Sequence, residues 1–279
     1  MDLDGTLLNS QSQITEENAQ AVAEAAARGI EIVIVTGRRY HSARQIVDGL
    51  RCELHLIVTN GALIKSKEGE TLQRFLLPAA TARRVLEATP EFRSSAAVVF
   101  DRPRENQVIF ETVDWDDPFR GGYYRRSREF IAQVSPLTDC LNGHSPDAPP
   151  EDPLEVMFVG PCQSIDAARR KLQQLDFANE YTIAFTEYLT RDLSVLDVVR
   201  SGVSKGVALA AWARRRLIPR EEVMALGDNW NDRDMLEFAG LPIVMGNCVD
   251  ILKSHGWQVT LSNDENGVAE AIHRYALTV

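Results

Sequence analysis

Apolar positions in this chain alternate between two rhythms. Ile30-Glu31-Ile32-Val33-Ile34-Val35 and Leu54-His55-Leu56-Ile57-Val58 are short runs rich in β-branched residues. Runs this short and this apolar predict strands buried on both faces, as in a parallel sheet. Helical spacing surrounds them. Thr15 to Arg28 predicts a helix with Thr15 as its cap, Glu16 and Glu17 in the first turn and Gly29 as its stop. His41 to Leu50 predicts a second. The alternation returns late in the chain. There the pattern predicts helices at Lys205–Leu217, Arg233–Phe238, Val249–Ser254 and Gly267–Tyr275, and strands at Val223–Leu226, Leu241–Met245 and Gln258–Thr260. Strand and helix in turn predict a doubly wound α/β domain.

The middle of the chain follows another rule. Ala62 to Leu77 predicts a hairpin turning at Glu68-Gly69. Helices are expected at Ala79–Ala88, Arg125–Val134 and Ser164–Leu175, and strands at Ala96–Phe100, Val108–Val113, Leu154–Val159 and Tyr181–Phe185. Asp114 to Asp152 is irregular, and Pro146 to Pro153 alone holds four prolines. This block reads as a separate α+β insert over residues 80–196, flanked by core segments 1–79 and 197–279.

Bulk properties narrow the function. At 279 residues the chain favours two domains. A net charge of -10 argues against a nucleic-acid partner, which needs a dense basic face. It leaves anionic substrates open, because a metal ion can reverse the sign of a site. Arg214-Arg215-Arg216 reads as a solvated helix end before Pro219. Cys52, Cys140, Cys162 and Cys248 form no Cys-x-x-Cys pair and no zinc-finger spacing, so reduced thiols in a cytoplasmic protein are expected. No stretch of about 18 apolar residues predicts a membrane span. No signal peptide precedes the first motif, which starts at residue 2.

The candidate chemistry is carboxylate-rich. Asp2-Leu3-Asp4-Gly5-Thr6 sets two carboxylates two positions apart, followed by Gly and Thr. Three further segments accompany it: Val35-Thr36-Gly37-Arg38, Ser204-Lys205-Gly206, and Gly227-Asp228-Asn229-Trp230-Asn231-Asp232. Sites in open α/β sheets lie beyond the carboxyl ends of strands, where Asp2, Thr36 and Asp228 are expected. Phosphoryl transfer needs an in-line nucleophile, a proton donor, positive charge and a metal. Asp2 is the candidate nucleophile, forming an acyl phosphate. Asp4 is the candidate general acid and base. Thr6 can orient a carboxylate. The Thr36 hydroxyl and the amides from Gly37 onward suit a phosphate oxygen at a helix N-terminus, although a Thr there also serves as an ordinary helix cap. Arg38 either contacts substrate or pairs with a surface carboxylate. Lys205 opens a helix against the macrodipole and is placed to neutralise Asp2 and the transferring group. Asn60 is a candidate phosphate contact, and Asn231 is either a phosphate contact or a support behind the metal ligands. Magnesium favours hard oxygens. Its expected ligands are Asp2, the Asp4 carbonyl and Asp228, with Asp232 a ligand or a support behind them. Asp234 is expected to face solvent.

Competing readings of these residues fail. A calcium loop starting at Asp2 needs Gly and Glu at its sixth and twelfth positions, which are Leu7 and Gln13. No Gly-x-Ser-x-Gly elbow occurs, and His41, His55, His144, His255 and His273 show no usable spacing.

The four motifs in this order resemble the haloacid dehalogenase superfamily. The insert between the Thr36 and Lys205 motifs looks like its type-2 cap arrangement. Thr59-Asn60-Gly61-Ala62, Met245-Gly246-Asn247 and Asn263-Asp264-Glu265-Asn266-Gly267-Val268 are similar to the Cof-like branch. The resemblance implies an α/β fold, a Rossmann-like doubly wound parallel-sheet core with an inserted α+β cap domain. It implies magnesium and hydrolysis of a small phosphorylated metabolite. Asp2, Asp4, Thr36, Lys205, Asp228, Asn231 and Asp232 match the motif positions. No membrane partner is expected, and the protein would act as a monomer or homodimer. A phosphomutase and a non-catalytic phospholigand-binding protein on the same scaffold are the alternatives. Arg102, Arg104 and Tyr123 are candidate cap residues at the mouth. Two features depart from the resemblance. His255-Gly256-Trp257 stands where small residues are usual. The resemblance also implies an apolar strand ahead of the first Asp, yet only Met1 precedes Asp2. The expectation is a reading frame that begins upstream.

Overall fold

The structure, a computed structural model, describes residues 1–117, 120–143 and 149–277. The chain forms two compact units, Met1–Arg74 with Val203–Val279, and Phe75–Gly202. The first unit opens with α1 (Glu16–Ala27), whose N-cap Thr15 accepts the Asn18 amide. Strand β1 (Val33–Val35) is shorter than the apolar run predicts, and it pairs in parallel with β2 (His55–Val58). Between them lies α2 (Tyr40–Val47). β3 (Leu63–Ser66) and β4 (Thr71–Arg74) form the hairpin, antiparallel on β2.

The second unit holds α3 (Ala79–Ala88), β5 (Ala96–Val99), β6 (Val108–Phe110), α4 (Gly121–Arg126), β7 (Ile131–Gln133), β8 (Glu155–Gly160), α5 (Cys162–Gln173), β9 (Tyr181–Tyr188) and β10 (Leu193–Arg200). Its sheet has the order β7-β6-β5-β8-β10-β9. One face packs Val98, Phe100, Val156, Phe158, Leu196 and Val198 against α3 and α5 to make a core. The helix expected over Arg125–Val134 is corrected: helix occupies Gly121–Arg126, and Ile131–Gln133 is a strand parallel to β6. Pairing with an existing edge outweighs local helical spacing there. Strand β10 is one element that the predicted strands do not include. It runs unbroken to Arg200, pairing on both sides, so the unit extends to Gly202 rather than ending at 196. Part of the irregular Asp114–Asp152 stretch, including His144 and Pro146, lies outside the described residues.

The first unit resumes with α6 (Lys205–Arg215), β11 (Met224–Gly227), α7 (Arg233–Phe238), β12 (Leu241–Val244), α8 (Asp250–Lys253), β13 (Gln258–Val259) and α9 (Gly267–Ala271). β11, β12 and β13 are parallel neighbours. The first two residues tie this sheet to the other. Val35 N–H donates to the Met1 carbonyl at 2.9 Å, and Asp2 N–H to the Leu226 carbonyl at 3.0 Å. Asp2 therefore leaves the sheet at its carboxyl edge, between β1 and β11. Behind Met1 lies a cavity of about 680 Å³ lined by Ile32, Val33, Trp212, Leu226 and Tyr275 among others. The four cysteines are free thiols. No described helix is long and apolar enough to cross a membrane.

Candidate active site

The site forms where the chain leaves the sheet. Asp2 follows the Met1 link, Thr36 follows β1, and Asp228 follows β11. Lys205 comes from the first turn of α6. Ser204 caps that helix by accepting the Val207 amide. Asp234 also supports it, accepting the Gly206 N–H at 2.9 Å. The expectation that Asp234 faces solvent is thus corrected: a carboxylate beside exposed helix N–H groups is favourable, and it offsets the lysine's poor fit there.

Asp2, Asp228 and Asp232 are buried, and each offers a carboxylate oxygen within 4.8 Å of the others. Lys205 Nζ donates to Asp2 Oδ1 at 2.8 Å and to Asp232 Oδ1 at 2.6 Å. Asp232 Oδ2 accepts the amides of Asp228 and Asn229, both at 3.0 Å. Both oxygens of Asp232 are therefore engaged by protein donors, so it organises the loop that presents Asp228. The Thr6 hydroxyl donates to Asp228 Oδ1 at 2.9 Å. Gly5, at φ 80°, lies so close that a Cβ would come 2.3 Å from Asp228 Oδ2. Only glycine satisfies both that conformation and that approach.

Charge is unbalanced in this dry cluster. Burial pushes the Asp2 carboxyl up to about 7 against the pull of Lys205, and Asp232 and Asp4 add to the rise. Burial likewise raises Asp228 well above the ordinary carboxylate value, with Asp232 and Asp2 adding to it. Burial pulls Lys205 down, but Asp2 and Asp232 more than reverse this, and its ammonium is held charged. The Met1 α-amine donates to the Val33 carbonyl, and burial lowers it to about 6. Acidic oxygens outnumber the cations, and they are hard donors. The cluster fits a divalent metal ion, whose charge would let the carboxyls ionise together.

A second group lies around Thr36. Its hydroxyl accepts the Arg38 amide at 3.1 Å, a local capping bond, which leaves the O–H proton free for another acceptor. Asn60 and Asn231 meet, with Asn231 Nδ2 donating to Asn60 Oδ1 at 3.3 Å. Arg38 grips Asp4: Nε to Oδ2 and Nη2 to Oδ1, both 2.6 Å, while Nη1 reaches Ser42 Oγ at 3.2 Å. Of the two partners left open for Arg38, a carboxylate is the one it holds, and that carboxylate is Asp4.

Sequence reasoning missed the loop supports. Asn247 Nδ2 donates to the Gly5 carbonyl and Asn263 Nδ2 to the Leu8 carbonyl, both at 2.8 Å. The Asn263 amide in turn donates to Asn247 Oδ1 at 2.9 Å. Met245-Gly246-Asn247 and the Asn263 segment thus brace the loop that follows Asp2. In the second unit, Arg102 stacks on Phe100 and forks onto Glu151, and Arg104 pairs with Glu129. Tyr123 packs edge-on against Tyr124. Arg102 and Arg104 are thus each paired with a carboxylate of that unit.

Comparison with known proteins places this arrangement. The haloacid dehalogenase-like hydrolase family profile matches residues 1–272. Phosphatase YwpJ of Bacillus subtilis is 29% identical over 96% of both chains. The 5-amino-6-(5-phospho-D-ribitylamino)uracil phosphatase YcsE of the same organism is 27% identical over 99% of this chain and 94% of its own. A chloroplastic protein of Arabidopsis thaliana, called endoribonuclease YBEY, is 28% identical over 99% of this chain, and the chain spans 46% of that protein's length. A solved haloacid dehalogenase-like hydrolase of B. subtilis superposes with a TM-score of 0.81 and 26% identity over 99% of this chain and 98% of its own. The chain belongs to the haloacid dehalogenase-like hydrolases.

Proposed function

We propose that the chain hydrolyses small phosphate monoesters, with magnesium bound, through an aspartyl-phosphate on Asp2. The observation that carries this is one buried ammonium, Lys205 Nζ, bonded to Asp2 and Asp232 in a cluster that also holds Asp228. A carboxylate so held is oriented for attack, and the lysine stands ready for the charge of an incoming phosphoryl group.

The Asp2 carboxylate attacks phosphorus, and the bond from phosphorus to the ester oxygen breaks. Asp4 gives the leaving alkoxide a proton. Asp4 then takes a proton from the water that attacks the acyl phosphate, and phosphate departs with Asp2 restored. Arg38 keeps Asp4 aligned for both transfers. The Thr36 hydroxyl and the Asn231 amide would donate to phosphate oxygens. Asp2, the Asp4 carbonyl and Asp228 would hold magnesium, with Asp232 fixing their loop. The bound ion would offset the negative charge shared by nucleophile and phosphoryl group.

The second unit would act as a cap that excludes water and selects the ester. YcsE acts on a phosphorylated ribityl compound by its name, and a sugar-phosphate-like metabolite suits a site with this donor set. The reading places the protein in the cytoplasm, as a monomer or homodimer. The test is phosphate release from a panel of small esters by the full chain. Turnover should require magnesium, stop with EDTA and stop in Asp2→Asn. A wild-type protein that releases phosphate from no ester in the panel, or equally well in EDTA, defeats the proposal.

A further inference from the structure

The mechanism above employs Thr36, Lys205 and Asn231 but not the turn that touches all three segments. Thr59-Asn60-Gly61 follows β2, with φ values of 53°, 50° and 102°. Successive residues in the left-handed region are uncommon, and a β-branched residue there is strained. Thr59 is fully buried, and its hydroxyl has no partner among the described residues. The turn is kept despite both penalties.

Its contacts show what it spans. Thr59 N–H donates to the Arg38 carbonyl at 2.9 Å, and Asn60 N–H to the Thr36 carbonyl at 3.2 Å. The Asn60 amide group lies over Gly37, where a Cβ would come 3.1 Å from its Oδ1. The same Oδ1 accepts Asn231 Nδ2 at 3.3 Å. On the other side Gly61 abuts the helix of Lys205: a Cβ there would fall 2.3 Å from the Ser204 carbonyl oxygen.

We propose that Asn60 is a positioning residue, held by a strained turn, that sets the Asn231 amide against the Thr36–Gly37 turn and acts on the reaction through Asn231. This rests on the phosphatase reading, so turnover and anion binding are measured separately. Asn60→Gly keeps the left-handed backbone and deletes only the amide. It should fold with an unchanged melting temperature and lose kcat/KM on the order of 10²-fold, the scale of a small misplacement at a reacting centre. Asn231→Ala should lose a similar factor. The double variant should be no worse than Asn231→Ala alone. Calorimetry with inorganic phosphate and magnesium should repeat this pattern, with affinity weakened roughly tenfold by either change and no further by both. Thr59→Gly, which relieves the strain, should lower kcat without lowering the melting temperature, and it serves if Asn60→Gly does not fold. Multiplying losses in the double variant overturn the proposal, because Asn60 would then act on the ligand directly. Unchanged turnover and binding in Asn60→Gly overturn it too. Phosphate binding with the expected pattern but no ester turnover in the wild type sinks the phosphatase reading and leaves the positioning role standing.

Discussion

Arg38 holds Asp4 by a two-point fork, with both N···O distances 2.6 Å. Such a fork fixes orientation as well as distance, which a lysine ammonium does not. Both side chains are about one-third exposed, 33% and 30%, so the pair adds little to folding. Arg38→Lys should therefore leave thermal stability within about 1 kcal/mol of wild type. Turnover should fall roughly tenfold or more, because a misaligned acid and base loses most of its 10²–10⁴-fold contribution. Paired melting curves and steady-state kinetics check this. Equal turnover would mean that the fork is only a surface ion pair.

Lys205 poses the opposite case. It is 2% exposed and answers two buried carboxylates. Lys205→Met deletes the cation and strands Asp2 and Asp232 in a dry site. Removing one partner of a buried ion pair destabilises by about 3–5 kcal/mol. Urea unfolding in EDTA should show a loss of that order, and activity should vanish. Magnesium should restore part of the stability but none of the turnover, since it supplies charge without the lysine's hydrogen bonds. A variant as stable as wild type in EDTA would show that Lys205 does not balance the acids.

Much of this was written in short-range patterns. Asp2, Thr36 and Asp228 sit at strand ends, and strand ends are marked by apolar runs followed by small or polar residues. The Thr15 cap and the Glu68-Gly69 turn are local chemistry, and the sequence displays local chemistry directly. What stayed hidden depends on partners far along the chain. Asp234 looks like any helix-surface acid until Gly206 is brought to it across 28 positions. Asn247 and Asn263 look like loop asparagines until Gly5 and Leu8 arrive beneath them. Strand β7 lies in a segment of helical spacing and is fixed by pairing with β6. Leu193–Arg200 had strand alternation in plain view, but its place between β8 and β9 is a fact of topology.

Buried acids make stability depend on pH in a defined direction. Asp2 moves from 3.8 to about 7 on folding. Between those values the folded protein holds the extra proton, so stability falls as pH rises. The Met1 α-amine moves from 8.0 to about 6, and over that window the unfolded chain holds the extra proton, so stability rises with pH. The first effect is isolated by subtracting Asp2→Asn from wild type, both in EDTA. The wild type should lose stability relative to the variant, by a few kcal/mol at most, as pH climbs from about 4 to 7. Saturating magnesium should remove that relative loss, because the ion binds the ionised carboxyls of the folded state. A difference curve that is flat in EDTA, or that rises, contradicts the raised Asp2 value.

The cavity behind Met1 yields the last prediction. Met1 already pairs with β1 through Val33 and Val35, and Asp2 pairs with β11 through Leu226. In parallel pairing, bonding residues alternate along each strand. Extended residues fused ahead of Met1 would therefore continue the same register between β1 and β11. The walls they would meet include Ile32, Val33, Leu226 and Trp212. Burying an apolar side chain contributes about 1.5–3 kcal/mol, and ordering its backbone costs about 1–2. A short Ile/Val-rich extension should thus gain on the order of 1 kcal/mol, read as a rise of roughly 2–4 °C in melting temperature. It would also move the α-amine away from Asp2, which should remove the rising stability limb between pH 6 and 8. An extension of the same length carrying Asp and Pro cannot fill the cavity or donate along its edges, and it should gain nothing. If both extensions leave the melting curve unchanged, the cavity does not accept a strand.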